Sequence, residues 1–452
     1  MTEQIRTITE AARAMQAGRL TPVELVEHCL QQIDRHEPQV RAWVMVDRAG
    51  ARAEAVRLTE ELQRGQYRGP LHGIPLGVKD IFDVFDWPTA AGSKLWADSI
   101  ARHDCDVVAH LRQAGAIFLG KTVTTAYASF DPPVTRNPWN HARTPGGSSS
   151  GSAAAVAAGM CLGALASQTG GSIARPAAYC GVCGLKPTYG RLSLHGIVPL
   201  AESMDHPGFM ANSASDLAIL LQATADVDGR VIDGWEVPGP DEYVTDIDAL
   251  PDMPEAGIFR GMFTLAMEPE MRAAFDDACD RFYSAGMQLV DFPLPAAFAD
   301  ITARHQLVMA VEAAEFHETR FRRHPEDYPP KITSLIQEGL KASAPEYART
   351  KEHQQALKAE ILDAFVEGVT VALTPTTAGT APDAATTGLP VMNSPWSYLG
   401  LPTVNIPMAW SSDGLPLSLQ LVAKPFEEAL LLQMANWCET VLQFERRTPA
   451  GK

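Results

Sequence analysis

Residues 146–175 read GGSSSGSAAAVAAGMCLGALASQTGGSIAR, a stretch dominated by small, uncharged side chains. Between Thr144 and Pro176 there is no Asp, Glu, Lys or His. Glycine and other small residues let one backbone approach another backbone, or a substrate, very closely. Two serine clusters, at 148–150 and 170–172, bracket an alanine-rich run that favours a helix. We therefore expect these serines to carry chemistry, with a base and a pocket supplied by the other segments.

The bulk properties describe a globular protein with enough apolar material for a large core. The 452 residues are 46% hydrophobic and 20% charged. A formal net charge of −17 argues against nucleic acid or an anionic membrane as a partner, because both select basic patches. The N-terminal residues lack the apolar core of a secretory signal, and no apolar run is long enough to span a bilayer. With seven cysteines, these features predict a reduced, cytoplasmic protein.

Helical and strand-like segments alternate along the chain, which predicts an α/β protein with a covered sheet. Thr21-Pro22-Val23-Glu24 is a capping box whose helix is expected to reach about Arg35. Asp104 and Asp106 are expected to cap a helix that ends near Gln113. Further helices are predicted near 48–64, 215–225, 268–284, 300–366 and 425–442, strands near 70–82, 116–119, 287–292, 369–373, 403–410 and 417–422, and a loop over 226–260.

A phosphate-loop pattern, G-x-x-x-x-G-K-[ST], occurs once, from Gly115 to Thr122. A phosphate cradle needs a strand before the first glycine, a flexible loop between the glycines and a helix after the threonine. Here a predicted helix precedes Gly115, and the intervening residues are themselves strand-like. A helix-turn-strand connection therefore explains this pattern better than nucleotide binding.

Residues 147–151 match the nucleophile elbow G-x-S-x-G, with Ser149 at its centre. An elbow needs an apolar strand that runs into it, and an acid and a histidine downstream. Residues 137–145 cannot form that strand, and His195 and His206 lie in turn-rich stretches. An esterase of the α/β-hydrolase type that uses Ser149 is the weaker alternative.

Cys180 and Cys183 form a lone C-x-x-C pair. No second Cys or His pair stands at metal-ligand spacing, so we expect two buried thiols and no metal site.

Lys79 lies in the apolar run Gly77-Val78-Lys79-Asp80-Ile81. Such a lysine either extends its amine to the surface or pairs with a carboxylate. Alternatively it is desolvated, and the lowered pKa lets it act as a base. A hydroxyl nucleophile needs a base of this kind within hydrogen-bond reach.

Four segments in this order resemble the amidase signature family of serine hydrolases: residues 77–80, 146–155, 169–173 and 180–188. The similarity extends to residues 373–376 and 414–422, covers most of the chain from 5 to 445, and is weakest between about 226 and 345. The resemblance implies a single large α/β domain over 1–452, with a mixed twisted sheet covered by helices on both faces. It also implies that the variable region from about 226 to 345 shapes part of the pocket.

The resemblance assigns roles to matching residues. Ser172 is expected to be the nucleophile, and Ser148, following a cis peptide bond after Gly147, is expected to relay a proton between Ser172 and neutral Lys79. Thr169, Gly170, Gly171 and Ser172 are expected to form an oxyanion hole from backbone N–H groups. No cofactor and no metal are expected.

The chain departs from the commonest family pattern beside the nucleophile. Gln168 stands where many members have Asp, Ala174 stands where many have Arg, and Arg175 follows one residue later. This combination is similar to malonamidase-type members, in which the shifted arginine binds a substrate carboxylate. Arg175, with Gln168 and Ser149, is therefore our candidate set for substrate binding. A structural arginine that bonds loop carbonyls is the alternative reading of Arg175.

The resulting expectation is an amidase that converts a small carboxamide, with or without a carboxylate of its own, to a carboxylate and ammonia or an amine. The alternatives are the glutaminase component of a tRNA-dependent amidotransferase, which needs partner chains, and a non-catalytic binding protein on the same scaffold. The expected partner is a small-molecule amide, with no nucleic acid and no membrane; a homodimer is one assembly compatible with the sequence.

Overall fold

A mixed sheet flanked by helices forms the centre of the computed structural model, which describes residues 5–225, 231–232, 235–239, 242–245, 247–248, 254–259, 261–365 and 369–449. The described strands are β1 Trp43–Val46, β2 Pro75–Lys79, β3 Ile117–Thr122, β4 Gly163–Gln168, β5 Cys183–Lys186, β6 His206–Ala211, β7 Val231–Ile232, β8 Trp235–Glu236, β9 Glu255–Phe259, β10 Gln288–Phe292, β11 Val371–Pro375, β12 Thr403–Trp410 and β13 Pro416–Val422. The described helices are α1 Ile8–Gln16, α2 Pro22–Val40, α3 Arg48–Gln63, α4 Asp106–Gln113, α5 Ser150–Ala157, α6 Ala174–Cys180, α7 Ala214–Gln222, α8 Met262–Ala266, α9 Pro269–Ser284, α10 Ile301–Arg323, α11 Pro330–Gly339, α12 Ala344–Phe365, α13 Ser394–Tyr398 and α14 Glu428–Leu442. The predicted fold class is confirmed.

The sheet orders its strands β1-β3-β2-β4-β6-β5-β12-β13-β11-β9-β10, while β7 and β8 pair separately. Strand β2 runs parallel to both of its neighbours, β3 and β4. Strand β4 then pairs antiparallel with β6. The carboxyl ends of β2 and β4 therefore lie at the same edge of the sheet, and this edge brings Lys79 towards the residues that follow Gln168.

Both faces of the sheet are covered, as the burial of alternate side chains shows. Phe118 belongs to one apolar cluster, whereas its neighbours Ile117 and Leu119 belong to another. Leu165 and its neighbour Ala164 divide between the same two clusters. Successive side chains of a strand point to opposite faces, so the two clusters are the cores on the two sides of the sheet.

Two predicted helix ends differ from the structure. Helix α2 starts at its predicted capping box but continues past Arg35 to Val40, with Pro38 inside its last turn. Helix α4 has Cys105 at its N-cap and no side-chain cap bond. Asp104 instead accepts a hydrogen bond from the backbone N–H of Phe85 and pairs with Arg112, so the prediction that Asp104 caps α4 was wrong.

The loop predicted over 226–260 lies partly outside the described residues. Its described part contains strand β9, which pairs in parallel with β10 and β11. A strand as short as Glu-Ala-Gly-Ile-Phe gives little alternation, and its partners lie far along the chain, so the sequence pattern did not reveal it. Beyond it, the described part of the variable region is mainly helical and includes α10.

The phosphate-loop pattern is a helix-turn-strand connection, as predicted. Helix α4 ends at Gln113, and β3 fills the space between the two glycines of the pattern. The lysine of the pattern, Lys121, is buried and lies 3.0 Å from a carboxylate oxygen of Asp80.

All seven cysteines, including Cys180 and Cys183, are buried free thiols. In the described parts of the chain no three His, Cys, Asp or Glu side chains cluster so as to hold a metal ion. Across the same residues, no helix has both the length and the apolar character needed to cross a bilayer.

Candidate active site

Lys79 ends β2 with its amine enclosed by serine hydroxyls. Its Nζ lies 2.7 Å from Ser148 Oγ and 2.7 Å from Ser167 Oγ. The side chain is fully buried, and among the described residues it makes no ion pair. Burial lowers the pKa of Lys79 to about 7, against an opposing effect from the charge of Asp205. A substantial share of the amine is therefore neutral near pH 7 and able to accept a proton.

Ser148 lies where the chain turns sharply before α5. The peptide bond between Gly147 and Ser148 is cis, as predicted, and Gly146 has a φ of 83°. A β-carbon on Gly146 would come within 2.7 Å of the Pro176 backbone, so only glycine fits there. This turn presents the Ser148 side chain to Lys79.

Ser172 follows β4 in the loop 169–172. The backbone N–H of Ser149 donates to the carbonyl oxygen of Ser172 at 3.4 Å, so the two serine clusters adjoin as the sequence led us to expect. Ser172 is 6% exposed. Among the described residues, the backbone N–H groups of Gly170, Gly171 and Ser172 make no hydrogen bond. Three neighbouring donors are thus available to a ligand oxygen.

The carbonyl groups of this loop, in contrast, are all bonded. His305 Nε2, from α10, lies 2.9 Å from the carbonyl oxygen of Thr169. Ser397 Oγ, from α13, donates to Gly170 at 3.2 Å, and the backbone N–H of Arg175 donates to Gly171 at 3.0 Å. Burial lowers the pKa of His305 to about 4, so this imidazole is neutral and must carry its proton on Nε2 to donate to a carbonyl.

Thr169 is further tied to a buried acid. Its hydroxyl donates to Asp205, which also accepts the backbone N–H groups of Leu200 and Ala201. Burial raises the pKa of Asp205 to about 6. Asp205 is thereby fixed next to the loop and within electrostatic reach of Lys79.

Gln168 and Ser149 direct their polar atoms to the protein. Gln168 Oε1 accepts the backbone N–H groups of Ile173 and Ala174, both at 3.0 Å, and its Nε2 donates to Ser397 at 3.1 Å. Ser149 Oγ bonds to the backbone of Ser167. Substrate contact by Gln168 or Ser149 stays a prediction.

The elbow geometry is not present around Ser149. Between β3 and α5 the structure has turns and a short 3-10 segment at Ala126–Ala128, and no strand runs into Ser149. Ser149 is fully buried at the N-cap of α5. The strained strand-to-helix turn that exposes an esterase nucleophile is therefore missing.

Arg175 is a buried cation at the start of α6. Its Nη2 donates to the carbonyl oxygen of Gly147 at 2.7 Å and lies 3.4 Å from Thr387 Oγ1. Nε and Nη1 have no hydrogen-bond partner within the described residues. Burial lowers the pKa of Arg175 to about 10, which leaves it charged at neutral pH. A fully buried guanidinium with two open donors and no carboxylate partner in the described chain is an anomaly for a purely structural residue.

Sequence reasoning missed His305 and Asp205. Neither lies in a recognised motif, and His305 comes from the region where the family resemblance is weakest. The one available signal for His305 was a histidine on a helix with apolar neighbours, which is more often a packed core residue.

The fold and this lysine-serine cluster define a hydrolase, and comparison with known proteins gives its family. A family model described as Amidase matches residues 24–432. The chain therefore belongs to the amidase signature family, and it is an enzyme that hydrolyses amide C–N bonds.

Individual relatives agree with this assignment. The AmiD protein of Mycobacterium tuberculosis, named as an amidase, is 34% identical over 456 residues, covering 98% of this chain and 95% of the relative. A glutamyl-tRNA(Gln) amidotransferase component from Chloroflexus aggregans is 34% identical over 490 residues, covering 98% of both chains. The structure of native peptide amidase from Stenotrophomonas maltophilia matches with a TM-score of 0.87 and 28% identity, over 99% of this chain and 98% of that one. A closer likeness to malonamidase-type members stays a prediction.

Proposed function

We propose that this enzyme hydrolyses a small carboxamide that carries a free carboxylate, through an acyl-enzyme on Ser172. The observation that carries the proposal is the 2.7 Å bond between Ser148 Oγ and a fully buried Lys79 amine. A lysine with a depressed pKa and hydroxyl partners is the base that serine chemistry needs when no histidine is in reach.

In the proposed reaction, neutral Lys79 accepts the proton of Ser148 while Ser148 accepts the proton of Ser172. Ser172 Oγ forms a bond to the amide carbon, and the carbonyl π electrons move to the oxygen. The free N–H groups of the 169–172 loop stabilise that oxyanion. As the oxyanion collapses, the C–N bond breaks, and the proton returns through Ser148 to the departing nitrogen. Water then attacks the acyl-Ser172 ester with the same groups as base and acid, releasing the carboxylic acid.

We assign the substrate carboxylate to Arg175. A guanidinium donates charged N–H groups to a carboxylate, and Nε and Nη1 of Arg175 are unpartnered in the described chain. Nη2 of the same residue holds the carbonyl of Gly147, directly before Ser148. Binding an anion at Arg175 would therefore place the substrate beside the proton relay.

The reaction is tested with Ser172→Ala and with hydroxylamine. The native enzyme should convert amide to hydroxamate when hydroxylamine replaces water at the acyl-enzyme, and Ser172→Ala should form neither acid nor hydroxamate. Ser149→Ala, which removes the centre of the elbow pattern, tests the alternative nucleophile and should still form hydroxamate at saturating amide, whatever its effect on KM. Full turnover by Ser172→Ala would rule the mechanism out.

The substrate class is tested with Arg175→Met and a pair of amides. The half-amide of a short dicarboxylic acid is compared with the amide in which a methyl group replaces the carboxylate. The native enzyme should prefer the half-amide, and Arg175→Met should lose that preference by roughly 10- to 1,000-fold, because a charged hydrogen-bonded contact is lost. If Arg175→Met keeps the preference for the half-amide, Arg175 does not bind the substrate carboxylate, and its role is the structural bond to Gly147.

One alternative activity has a specific observation in its favour. Identity to the Chloroflexus aggregans amidotransferase component is as high as identity to the AmiD protein. A glutaminase of this kind works with partner chains, so glutamine hydrolysis that appears only in the presence of co-purifying chains would favour that role. Hydrolysis of a half-amide by the purified single chain would favour the amidase. The cytoplasmic location and the homodimer remain predictions.

A further inference from the structure

The three open N–H groups of the 169–172 loop must point at one oxygen if the loop is the oxyanion hole of the proposed function, and any inference about their orientation rests on that function. The one cis peptide bond in the described chain lies at Gly147-Ser148, so the peptide bonds of the loop are trans. In a trans peptide unit the C=O of one residue and the N–H of the next lie in one plane and point in opposite directions. A hydrogen bond that fixes the carbonyl therefore also fixes the direction of the following N–H.

Each of the three peptide units has such an anchor on its carbonyl. His305 Nε2 bonds to Thr169 O, on the plane that carries the N–H of Gly170. Ser397 Oγ bonds to Gly170 O, on the plane that carries the N–H of Gly171. The third plane, which carries the N–H of Ser172, is held within the first turn of α6.

The loop needs anchors from outside because two of its residues are glycines. Glycine has the widest backbone freedom of any residue, so the planes on either side of Gly170 and Gly171 have little rotational preference of their own. Packing leaves no room for a side chain at Gly171 and would crowd His305 if Gly170 carried one. A β-carbon on Gly170 would lie 3.3 Å from His305 Cε1, and one on Gly171 would lie 2.8 Å from Asn393 Oδ1.

We infer that His305 and Ser397 are positioning residues for the oxyanion hole, each aiming one backbone donor by holding the carbonyl of the same peptide unit. Neither side chain need touch the substrate. Both act on the stage of the reaction in which charge develops on the oxygen, because the donors they aim are used fully only then.

The neutral state of His305 suits this role. A neutral imidazole with its proton on Nε2 donates to the carbonyl without carrying a net charge of its own. The donor geometry, rather than charge, is then what a substitution removes.

The test uses a pair of variants that differ only in the donor. His305→Gln keeps an N–H at the reach of Nε2, and His305→Met has a similar length but no donor. We expect kcat of His305→Met to fall roughly 10- to 100-fold with KM nearly unchanged, and His305→Gln to recover most of that loss. The acidic limb of the pH–rate profile should not move in either variant, because Lys79 is untouched.

Matched controls come from the same helices. His317→Met removes another buried histidine of α10, and Ser394→Ala removes a buried hydroxyl of α13 that has no hydrogen-bond partner in the described chain. Both should keep kcat in the folded fraction, whereas Ser397→Ala should lower it. A thermal melting curve of every variant gives the fraction that is folded at the assay temperature, so loss of fold is separated from loss of rate.

The possible results distinguish a failure of the positioning role from a failure of the proposed reaction. If the native enzyme forms hydroxamate but folded His305→Met has an unchanged kcat, the positioning role is wrong and the reaction stands. If Ser172→Ala retains turnover, the reaction itself is wrong. If KM of His305→Met rises while kcat stays unchanged, the positioning role is also wrong, because His305 would then contribute to binding of the ground-state substrate.

Discussion

Two buried lysines on neighbouring strands of the sheet, Lys79 and Lys121, differ in the groups that are bonded to their amines. Lys79 ends β2, and Lys121 lies on β3 in register with Val78. Neither side chain is exposed at all. The amine of Lys121 lies 3.0 Å from the Asp80 carboxylate and 2.9 Å from the carbonyl oxygen of Pro88. Within the described residues, the amine of Lys79 is hydrogen-bonded to two hydroxyl groups, those of Ser148 and Ser167.

Burial lowers the pKa of both lysines, and at Lys121 the adjacent carboxylate opposes that shift. Asp205 acts on Lys79 in the same direction, but without a hydrogen bond to it. Desolvation is thus common to both sites, and the bonded counter-charge is what differs. Burial alone therefore does not distinguish Lys79 from Lys121, whereas the carboxylate bonded to Lys121 does.

The largest expected effect comes from removing each lysine in turn. On the proposed mechanism Lys79→Met loses the base, and kcat/KM should fall on the order of 10²- to 10⁴-fold. The control is Lys121→Met combined with Asp80→Asn, which removes the other buried cation together with its partner and avoids an orphaned charge. Amide hydrolysis by the folded protein is measured for both. Equal losses would end the distinction between the two lysines.

A smaller effect is expected from giving Lys79 the partner that Lys121 has. Ser167→Asp places a carboxylate where a hydroxyl now lies 2.7 Å from Nζ. The new charge should raise the pKa of Lys79, leaving roughly 10- to 1,000-fold less neutral amine at pH 7. The acidic limb of kcat/KM should move to higher pH, with activity returning in alkaline solution. Ser167→Asn, which is similar in size but uncharged, is the control. A limb that stays in place would show that Lys79 is not the group that titrates.

The smallest expected effect comes from the more distant acid. Asp205→Asn keeps an acceptor oxygen for the backbone N–H groups of Leu200 and Ala201, and its amide N–H can donate to the Thr169 hydroxyl, but it removes a charge that raises the pKa of Lys79. On the proposed mechanism the active form is the neutral amine, so activity should rise with pH through about 7, and the acidic limb should move to lower pH when the pKa of Lys79 falls. The shift is read from a pH–rate profile at low ionic strength, and an upward shift would contradict the electrostatic account.

Most of the fold could be predicted from the sequence, and the reasons are local. The alternation of helices and strands, the capping box at Thr21 and the strand inside the phosphate-loop pattern all follow from short-range spacing and capping chemistry. Where local signals compete, the sequence was a weaker guide: Asp104 is a good capping residue, yet its ion pair with Arg112 takes precedence. Helix α2 runs on through Pro38 because its packing continues beyond the predicted end.

In the candidate site, too, some contacts could be predicted from the sequence and others could not. The order of the family motifs predicted that Lys79 and Ser148 would meet, and their atoms do lie at hydrogen-bond distance. His305 could not be predicted, because the contact joins residues 136 positions apart in a region without a motif. The role of Gln168 was also hidden. Only the structure shows that its side-chain oxygen bonds to two successive N–H groups at the start of α6.

The separation of the loop anchors along the chain has a consequence for biosynthesis. The side chains of the proposed proton relay, Lys79, Ser148 and Ser172, all precede residue 175, whereas the Ser397 anchor comes 227 positions after Gly170. During synthesis these side chains are therefore made long before α10 and α13 can be translated and docked. If His305 and Ser397 orient the N–H groups of the loop, these groups have no fixed orientation until α10 and α13 have docked. A partly made or truncated chain should therefore hydrolyse the amides around it very slowly.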